Sequence, residues 1–332
     1  MELVLEIGPA NGDLEYAYDI VAAASSCGAD WVKGQIYNRD LLTTKTAKSY
    51  SHDGIHTAET QWDDFEKTLS YDEWEKVKVR CDELGIGFFA SVFDLGAVHF
   101  CETLGVERYK IASGDITYKQ LIRKVAMTGK DIIMSTGAST EKEVRRAMSW
   151  IIAPSLAPPP RLSSVVLLAC SLSYPCKPED ANLNRMESLR NLWPMVGYSD
   201  HTFGVGALHR AHHLGAVLVE KHFTITPGAG GDHDFAVTPE QLRGMGAWSQ
   251  GSSIYDGSPV LEASIAERKA RMGARRSIFA RRDIPARELM ENDIIFLRPG
   301  GGLEPWQAEE FVGRPLREGV KAGTALNEGM FQ

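Results

Sequence analysis

The chain has 332 residues, of which 43% are hydrophobic and 24% are charged, and its formal net charge is −8. This composition is typical of a globular protein, and the length suffices for one large domain and a small one. The negative charge, with no basic block to offset it, argues against non-specific nucleic-acid binding. No apolar run reaches membrane-spanning length, the N-terminus begins directly as a strand, and the five cysteines form no paired framework. We therefore expect a cytoplasmic protein that does not associate with membranes.

Strand-like runs alternate with helix-like runs along most of the chain. The predicted strands are Leu3–Ile7, Trp31–Tyr37, Gly87–Phe93, Arg108–Ala112, Asp131–Met134, Val165–Cys170, Met195–Tyr198 and Ala216–Val219. The predicted helices are Leu14–Cys27, Tyr71–Leu84, Leu95–Leu104, Gln120–Thr128, Thr140–Ile152, Asn184–Trp193, Val205–Leu214 and Pro239–Ile254. Continuous apolar strands are typical of a parallel sheet covered by helices. Eight such repeats in about 255 residues favour an α/β fold of the (β/α)8 TIM-barrel type over an open sheet.

Two long connections interrupt this alternation. Asn38–Ser70 follows the second strand, and loops of that length are often lids or binding loops, so we expect it to lie over the barrel mouth. The proline-rich loop Pro154–Pro160 precedes the sixth strand. No Gly-x-Gly-x-x-Gly motif follows the first strand, which argues against a dinucleotide-binding fold.

The pattern changes near Asp256, where we expect the barrel domain (residues 1–256) to end. Ala263–Met272 is charged and helical, and it falls within a predicted linker over residues 257–276. The short strand-like pieces Ser277–Ala280 and Ile294–Leu297 follow. Residues 277–332 are therefore predicted to form a small, mostly β domain.

Polar residues lie towards or just beyond the carboxyl end of every predicted strand, at the end of a barrel where catalytic groups stand. They are Glu6, Lys33, Gln35, Ser91, Lys110, Ser113, Asp115, Ser135, Thr136, Ser171, Tyr174, Asp200, His201, Glu220 and His222. Eight apolar strands that each end in polar groups indicate a functional rim more strongly than any single residue does.

Two histidines, His201 and His222, follow neighbouring strands of a β–α–β unit. Their strand ends should lie about one strand spacing apart, roughly 5 Å. Two imidazoles with Asp200, Glu220 and Asp232 nearby suit a divalent metal that keeps open positions for substrate. The spacing alone is equally compatible with two ordinary polar strand ends.

Two lysines, Lys33 and Lys110, lie within predicted buried strands, where a lysine needs a counter-ion. That counter-ion is either an internal carboxylate or a bound anion. Ser113 and Ser135 add hydroxyls, and helix N-termini add backbone amides, so the rim favours phosphate. Each serine alone would also fit a helix cap.

Taken together, these residues resemble the sialic acid synthase family, which condenses phosphoenolpyruvate with a sugar aldehyde. The resemblance covers nearly the whole chain, and its tail segments, Arg276–Ala280 and Leu297–Gly300, resemble the antifreeze-like (SAF) domain. The matching barrel segments are Glu6–Gly8, Val32-Lys33 with Gln35, Tyr109–Gly114, Ser135–Gly137, Cys170–Pro175, Ser199–Thr202, Glu220–Thr224 and Gly231-Asp232.

The resemblance implies roles for individual residues. It implies a divalent metal on His201 and His222, manganese as a rule, with magnesium or cobalt as alternatives. Phosphoenolpyruvate would be bound by Lys33, Lys110, Ser113 and Ser135. The acceptor would be contacted by Gln35, Tyr174, Asp232 and Arg298. The implied catalytic residues are Glu6, Asp115 and His222, the two carboxylates for water activation or oxocarbenium stabilisation. Because Arg298 matches an arginine that one subunit's tail extends into the other subunit's site, a domain-swapped homodimer is also implied.

The chain departs from the family pattern mainly at the acceptor end. Pro9–Gly12 replaces the usual Asn-His-x-Gly, Gly34–Ile36 replaces His-Gln-Thr, Asp115 replaces a glutamate, and Leu172 stands where the family has asparagine. We therefore expect a carboligase whose acceptor differs from N-acetylmannosamine, such as a diamino sugar of the legionaminic or pseudaminic type. The alternatives are a 3-deoxy-ulosonate-phosphate-type synthase and, from another class, a non-catalytic sugar-binding or regulatory protein.

Overall fold

The computed structural model describes residues 1–50, 59–152, 164–245 and 251–332. Eight parallel strands close into a barrel in chain order, which confirms the predicted (β/α)8 architecture. They are β1 (Glu2–Gly8), β2 (Trp31–Ile36), β3 (Gly87–Val92), β4 (Arg108–Ile111), β5 (Asp131–Ser135), β6 (Val165–Cys170), β7 (Val196–Asp200) and β8 (Leu218–His222). The helices of this part are α1 (Leu14–Ser26), α2 (Gln61–Asp64), α3 (Tyr71–Glu83), α4 (Leu95–Thr103), α5 (Lys119–Ala126), α6 (Glu141–Ile151), α7 (Arg185–Arg190), α8 (Gly206–His213) and α9 (Pro239–Gly244).

Side chains alternate between the barrel interior and the helix layer along each strand. One end of the interior is filled by an apolar cluster of Val4, Phe89, Ile133, Leu168 and Leu218. The polar strand-end residues lie beyond this cluster, towards the carboxyl ends of the strands. The apolar plug therefore closes one end of the barrel and leaves the other end to the predicted rim.

The strand register brings chemically different residues of the rim side by side. Glu6 of β1 is the register partner of Lys33 on one side and of His222 on the other. Ser91 of β3 pairs in register with Lys110 of β4. Because parallel strands align their carboxyl ends, residues far apart in sequence become neighbours there.

The last two strands extend further than their apolar runs. The predicted strands Met195–Tyr198 and Ala216–Val219 are in fact Val196–Asp200 and Leu218–His222. Their polar ends belong to the sheet because Glu220 and His222 face the interior of the barrel rather than solvent, and both are buried.

The predicted helix Pro239–Ile254 is wrong. α9 ends at Gly244, Gly251 has a positive φ of 67°, and a 3-10 turn covers Ser253–Tyr255. A left-handed backbone at Gly251 is incompatible with one continuous helix. Residues 246–250, and the predicted loop Pro154–Pro160, lie outside the described residues.

Beyond the barrel, the chain crosses the barrel mouth and then forms a small separate core. The predicted linker helix Ala263–Met272 is shifted to α10 (Arg268–Ala274). Both predicted tail strands are confirmed with their bounds, as the antiparallel pair β9 (Ser277–Ala280) and β10 (Ile294–Leu297), and α11 (Ala308–Phe311) follows. The tail has its own apolar core, formed by Ile278, Ala280, Ile284, Leu289, Ile294, Leu303, Ala308, Phe311, Leu316, Val320, Leu326 and Phe331.

The described parts of the loop Asn38–Ser70 do lie over the barrel mouth, as expected. Gln61 is buried and donates to the carbonyls of Lys48 and Gly273, at 3.2 and 2.9 Å, so the loop is attached to α10. Residues 51–58 lie outside the described residues. Within the described ranges, no helix is long and apolar enough to cross a membrane.

Candidate active site

A cavity of about 290 Å³ opens at the carboxyl ends of the barrel strands. Its walls come from the strand ends, the long loop after β2, the loop after β8 and the tail. The predicted site residues that line it are Glu6, Lys33, Gln35, Lys110, Ser113, Ser135, Tyr174, His201, His222, Asp232 and Arg298. Asp115 is the one member of the predicted set that is not among the described lining residues.

The two histidines meet at the rim, with ring centroids 5.6 Å apart. Nδ1 of His201 lies 2.7 Å from the carbonyl oxygen of Ser171. Because a carbonyl only accepts, Nδ1 carries the proton and Nε2 keeps its lone pair. Nδ1 of His222 lies 3.4 Å from the carboxylate of Asp232. Each imidazole thus has a partner that can orient its ring.

Burial lowers the pKa of His201 to about 4 and holds the pKa of His222 well below its usual range. Both rings are therefore neutral near pH 7, which is the form that binds a metal. Among the described residues, no third histidine, cysteine or carboxylate joins them in a cluster able to hold a metal ion. The donor set fits an open two-histidine site, in which other ligands must come from substrate or water, and not a closed structural site.

A buried cluster of one lysine and two carboxylates lies beside the histidines. Lys33 forms an ion pair with Glu6, and its Nζ lies 3.6 Å from Glu220 and donates to Ser91 Oγ at 2.8 Å. Glu220 also accepts a hydrogen bond from Ser199 at 3.0 Å. Of the two counter-ions that the sequence left open for Lys33, the structure contains the internal carboxylates.

The two carboxylates of this cluster ionise differently. Burial raises the pKa of Glu6, and the nearby charge of Glu220 adds to this rise. Burial opposes ionisation of Glu220 as well, but the charges of Lys110 and Lys33 outweigh it and lower its pKa. The cluster therefore holds a carboxylate at Glu220 and a more readily protonated group at Glu6, an arrangement that can take up and deliver protons.

Lys110 is the second rim lysine and forms no ion pair with the described residues. Its Nζ donates to the carbonyl of Ile111 at 3.3 Å. Burial lowers the pKa of Lys110, although the charge of Glu220 opposes this. A buried ammonium without a paired carboxylate is costly, and a bound anion would offset that cost.

Two serines lie close to this lysine, on the rims of β4 and β5. Ser135 Oγ is buried and has no hydrogen-bond partner in the described part of the chain. Ser113 Oγ accepts from the amide of Gly137 at 2.9 Å and lies 3.1 Å from Cys170 Sγ. Burial raises the pKa of Cys170, so this residue is a thiol and not a nucleophilic thiolate. Among the described residues, the Ser135 hydroxyl has no partner and the Lys110 ammonium has no paired carboxylate. Together these two groups favour an oxyanion ligand.

Asp115 occupies a different position from that expected of a catalytic carboxylate. It is fully buried behind the cavity wall, and its Oδ1 accepts from Arg276 Nε at 2.6 Å. Its other oxygen lies 3.8 Å from Arg298 Nη2. This position argues against direct contact with substrate and in favour of a role in holding the two arginines.

Arg298 lines the cavity of its own chain. Its exchange between two subunits, which concerns a second copy of the chain, stays a prediction. Its amide donates to the carbonyl of Leu42 at 3.0 Å, and its carbonyl accepts from the amide of Thr44 at 2.9 Å. Its guanidinium lies over the rings of Phe65 and Phe93, 5.5 Å from each centroid. The tail is therefore attached to the loop that follows β2 and lies over the barrel of the same chain.

An apolar wall adjoins the histidines. The ring of Tyr174 lies 4.2 Å from that of His201, and Phe235 lies 5.1 Å from His222. Tyr174 packs with Leu172 and with Ala274 of α10. The departure at Leu172 thus makes this side of the cavity more apolar than an asparagine would.

Sequence reasoning gave no role to two residues that the structure brings into the site. Glu220 was noted as a strand-end residue near the two histidines, without a role in proton transfer, although its alternation with Leu218 and His222 along β8 could have indicated an inward side chain. Arg276 carried no local signal, because its partners come from distant segments.

Comparisons with known proteins show the family to which the chain belongs. A sequence model of the NeuB family matches residues 20–256. The chain is 34% identical to the N,N'-diacetyllegionaminic acid synthase of Legionella pneumophila, over 95% of this chain and 90% of that protein. It is 31% identical to a pseudaminic acid synthase of Campylobacter jejuni, over 97% of this chain and 93% of that protein.

A solved structure extends the likeness to the tail. The spore coat polysaccharide biosynthesis protein spsE of Bacillus subtilis superposes with a TM-score of 0.83 at 26% identity, covering 100% of this chain and 95% of that chain. The family match spans most of the barrel, and the relatives cover nearly the whole chain. The chain belongs to the NeuB family and is a synthase of the condensing, transferase type.

Proposed function

We propose that this enzyme condenses phosphoenolpyruvate with a sugar aldehyde to give a nonulosonic 2-keto acid and inorganic phosphate. The observation that carries the proposal is a buried Lys110 that has no ion pair among the described residues, in one cavity with the neutral His201 and His222. The same cavity contains the hydroxyl of Ser135, which has no hydrogen-bond partner in that part of the chain. An anion site next to a pair of metal-competent imidazoles suits a phosphorylated donor and a carbonyl acceptor.

Lys110, Ser135 and Ser113 would bind the donor through its phosphate and carboxylate. In the reaction, C3 of phosphoenolpyruvate forms a bond with the aldehyde carbon, and the aldehyde oxygen takes up a proton. Water adds to C2 and releases a proton. The C2–O bond to the phosphate then breaks, the C2 hydroxyl gives up its proton to become the keto group, and inorganic phosphate leaves. Glu220 and Glu6 are the groups for these transfers, since one is a carboxylate and the other has a raised pKa.

His201 and His222 would hold a divalent metal, manganese by resemblance, with magnesium or cobalt as alternatives. When bound, such an ion supplies Lewis-acid polarisation of a carbonyl oxygen. The hydrogen bond from His201 to the carbonyl of Ser171 fixes the tautomer that this role requires. Asp232 serves the same purpose for His222.

A 2,4-diacetamido hexose is the acceptor class that we propose. Two observations support it: the named activity of the legionaminic acid synthase that the chain resembles, and the apolar wall of Leu172, Tyr174 and Ala274 beside the histidines. Acetamido methyl groups fit an apolar wall better than hydroxyls do. Gln35 and Asp232 would supply polar contacts, and Arg298 a charged one.

We propose further that residues 277–332 form an antifreeze-like (SAF) domain after a barrel domain of residues 1–256 and a linker of residues 257–276. The separate core of the tail supports this division. A domain-swapped homodimer remains a prediction from the sequence, and so does a cytoplasmic location.

The experiment is a panel of aldehydes with phosphoenolpyruvate fixed: a 2,4-diacetamido hexose, N-acetylmannosamine, its 6-phosphate and arabinose 5-phosphate. Phosphate release and the product mass are measured for each. The proposal predicts turnover with the diacetamido hexose and a product larger by the three carbons of pyruvate. Preference for arabinose 5-phosphate would favour a 3-deoxy-ulosonate-phosphate synthase, and phosphoenolpyruvate binding without turnover of any aldehyde would favour a non-catalytic homologue.

A further inference from the structure

Arg276 lies at the junction of barrel and tail and is completely buried. Its Nε donates to the carboxylate of Asp115 at 2.6 Å. Nη1 donates to the carbonyls of Leu41 and Phe296, at 2.7 and 2.9 Å, and Nη2 donates to the carbonyl of Phe93 at 2.6 Å. One guanidinium thus joins four segments: the loops after β2, β3 and β4, and the tail strand β10.

Two of these acceptors flank the point where the tail meets the loop over the barrel mouth. Phe296 precedes Arg298 by two residues, and Leu41 directly precedes Leu42. The backbone of Arg298 is hydrogen-bonded on both sides there, to the carbonyl of Leu42 and from the amide of Thr44. Arg276 therefore holds the tail segment that contains Arg298 against the loop segment to which the backbone of Arg298 is bonded.

The same guanidinium sets the charge around Arg298. The single negative charge of Asp115 lies between two arginines, with Oδ1 bonded to Arg276 and Oδ2 3.8 Å from Arg298. Nε of Arg298 is buried without a hydrogen-bond partner among the described residues. Because Arg276 already compensates Asp115, the positive charge of Arg298 stays available to the cavity. Without Arg276, Asp115 would be free to pair fully with Arg298.

We propose that Arg276 is a positioning residue, which fixes Arg298 at the cavity mouth and keeps its charge from being neutralised by Asp115. The part of this inference that concerns substrate rests on the proposed function, but the structural part does not. Arg276 acts through Arg298 and is not itself among the described residues that line the cavity.

The structural part is tested by amide hydrogen exchange in the full-length protein. Arg276→Met should raise exchange at the amides of Arg298 and Thr44. The tail-core amides of Ile278 and Leu326, which donate to Leu303 and Ile278, should keep their protection. If the amides of Arg298 and Thr44 exchanged as slowly in Arg276→Met as in the wild type, the proposal would be overturned. Loss of protection throughout the tail would overturn it as well.

The substrate part is tested by a double-mutant cycle of Arg276→Met and Arg298→Ala. The acceptor is the panel aldehyde that the wild type turns over best. We expect each variant to raise the acceptor KM about tenfold, with kcat less affected, and the double variant to be no worse than either. Effects that multiply would mean that the two arginines act independently, which contradicts the proposal. If the wild type turns over no aldehyde, the proposed function has failed and the exchange experiment alone decides.

Arg282→Met is the matched control, because Arg282 is a tail arginine that pairs with Asp293 at 2.8 Å and is half exposed. It should change neither exchange at Arg298 nor the acceptor KM. If Arg276→Met does not fold, Arg276→Lys carries the test. A lysine keeps the charge beside Asp115 but lacks the planar fork, so exchange at the Arg298 amide should still rise.

Discussion

The guanidinium of Arg298 lies 3.8 Å from the carboxylate of Asp115 in the same chain. The segment that leads from the barrel to this contact is attached to its own barrel along its length. Ser258 donates to Asn182 at 2.7 Å, and Arg185 donates to the carbonyl of Glu262 at 2.9 Å. One chain can therefore complete its own cavity.

This arrangement predicts the outcome of mixing two inactive chains. With the acceptor held well below its KM, Arg298→Ala should lose about nine-tenths of the activity and Lys110→Ala should lose most of it. Coexpression of the two should recover none, because each cavity would still lack one residue. If the tail instead entered a partner's cavity, a hybrid dimer would contain one complete site of its two, and roughly half of wild-type activity would return. Differently tagged chains, purified in tandem, ensure that only hybrids are assayed.

Lys110 should control the alkaline side of phosphoenolpyruvate binding. An anion requires the protonated lysine, and burial lowers the pKa of Lys110 below its ordinary 10.5. Affinity should therefore fall as pH rises through that lowered pKa, and this part of the profile should vanish in Lys110→Met. The variant should bind about 10- to 100-fold more weakly near pH 7, since a charged hydrogen bond is lost.

Calorimetric titration of phosphoenolpyruvate between pH 6 and pH 10 measures this dependence. Lys130→Met is the control, because Lys130 pairs with Glu102 at 2.8 Å and is not among the described lining residues. An unchanged alkaline limb in Lys110→Met would show that another group holds the anion.

The barrel could be predicted from the sequence because its evidence is local. Apolar runs and helical periodicity repeat in order, and they depend on no distant partner. The sequence predicted that β7 and β8 end before they do in the structure. Glu220 and His222 have the polarity of loop residues, so the prediction placed them after the strand. Their inward direction follows only from closure of the barrel, which places them in a shared polar cavity.

The site was predictable at the strand ends and unpredictable where distant segments meet. His201, His222 and Lys110 follow from the rule that barrel strands carry function at their carboxyl ends. The partnership of Asp115 with Arg276 joins residues 161 positions apart in the chain. No local pattern reveals that the carboxylate is neutralised by the tail, so its role was read from the family and not from its neighbours.

Leu172 should contribute to the choice of acceptor. It is buried against Ala138, Ala270 and Ala274, so Leu172→Asn would place an amide in apolar surroundings. We expect kcat/KM for the 2,4-diacetamido hexose to fall about tenfold relative to that for N-acetylmannosamine, within the range that one apolar contact provides. Leu172→Met, which nearly conserves volume, should leave the ratio near that of the wild type. If Leu172→Asn left the ratio of the two kcat/KM values unchanged, the apolar wall would not contribute to the choice of acceptor.

Glu267 should be a major source of stability where the linker crosses the barrel. It is fully buried, pairs with Arg185 at 3.0 Å and accepts from the amides of Leu172, Ser264 and Ala138, at 2.9, 2.9 and 2.6 Å. Glu267→Ala would leave a buried guanidinium uncompensated, so the free energy of unfolding should fall by about 3–5 kcal/mol. Urea titration checks this, with the exposed Glu83→Ala expected to change it by less than about 1 kcal/mol.

The same carboxylate predicts an acid dependence. Burial opposes its ionisation, but the charge of Arg185 and the backbone amides lower the pKa of Glu267. A lowered folded-state pKa gives stability that is present above the unfolded-state value and is lost as pH falls through the folded-state value. Glu267→Gln should therefore lose stability at neutral pH and fall less steeply than the wild type below pH 4.5. Parallel acid-unfolding curves would contradict this.

The most direct test of the central claim measures phosphate release from phosphoenolpyruvate and a 2,4-diacetamido hexose by wild type and His222→Ala. Both proteins are assayed after treatment with a chelator and again after manganese is restored. The account predicts that wild-type release stops on chelation and returns with manganese, and that His222→Ala stays inactive although phosphoenolpyruvate still binds. Equal release by both proteins, or wild-type release that the chelator does not change, would contradict the assignment of this cavity as the site of a metal-assisted condensation.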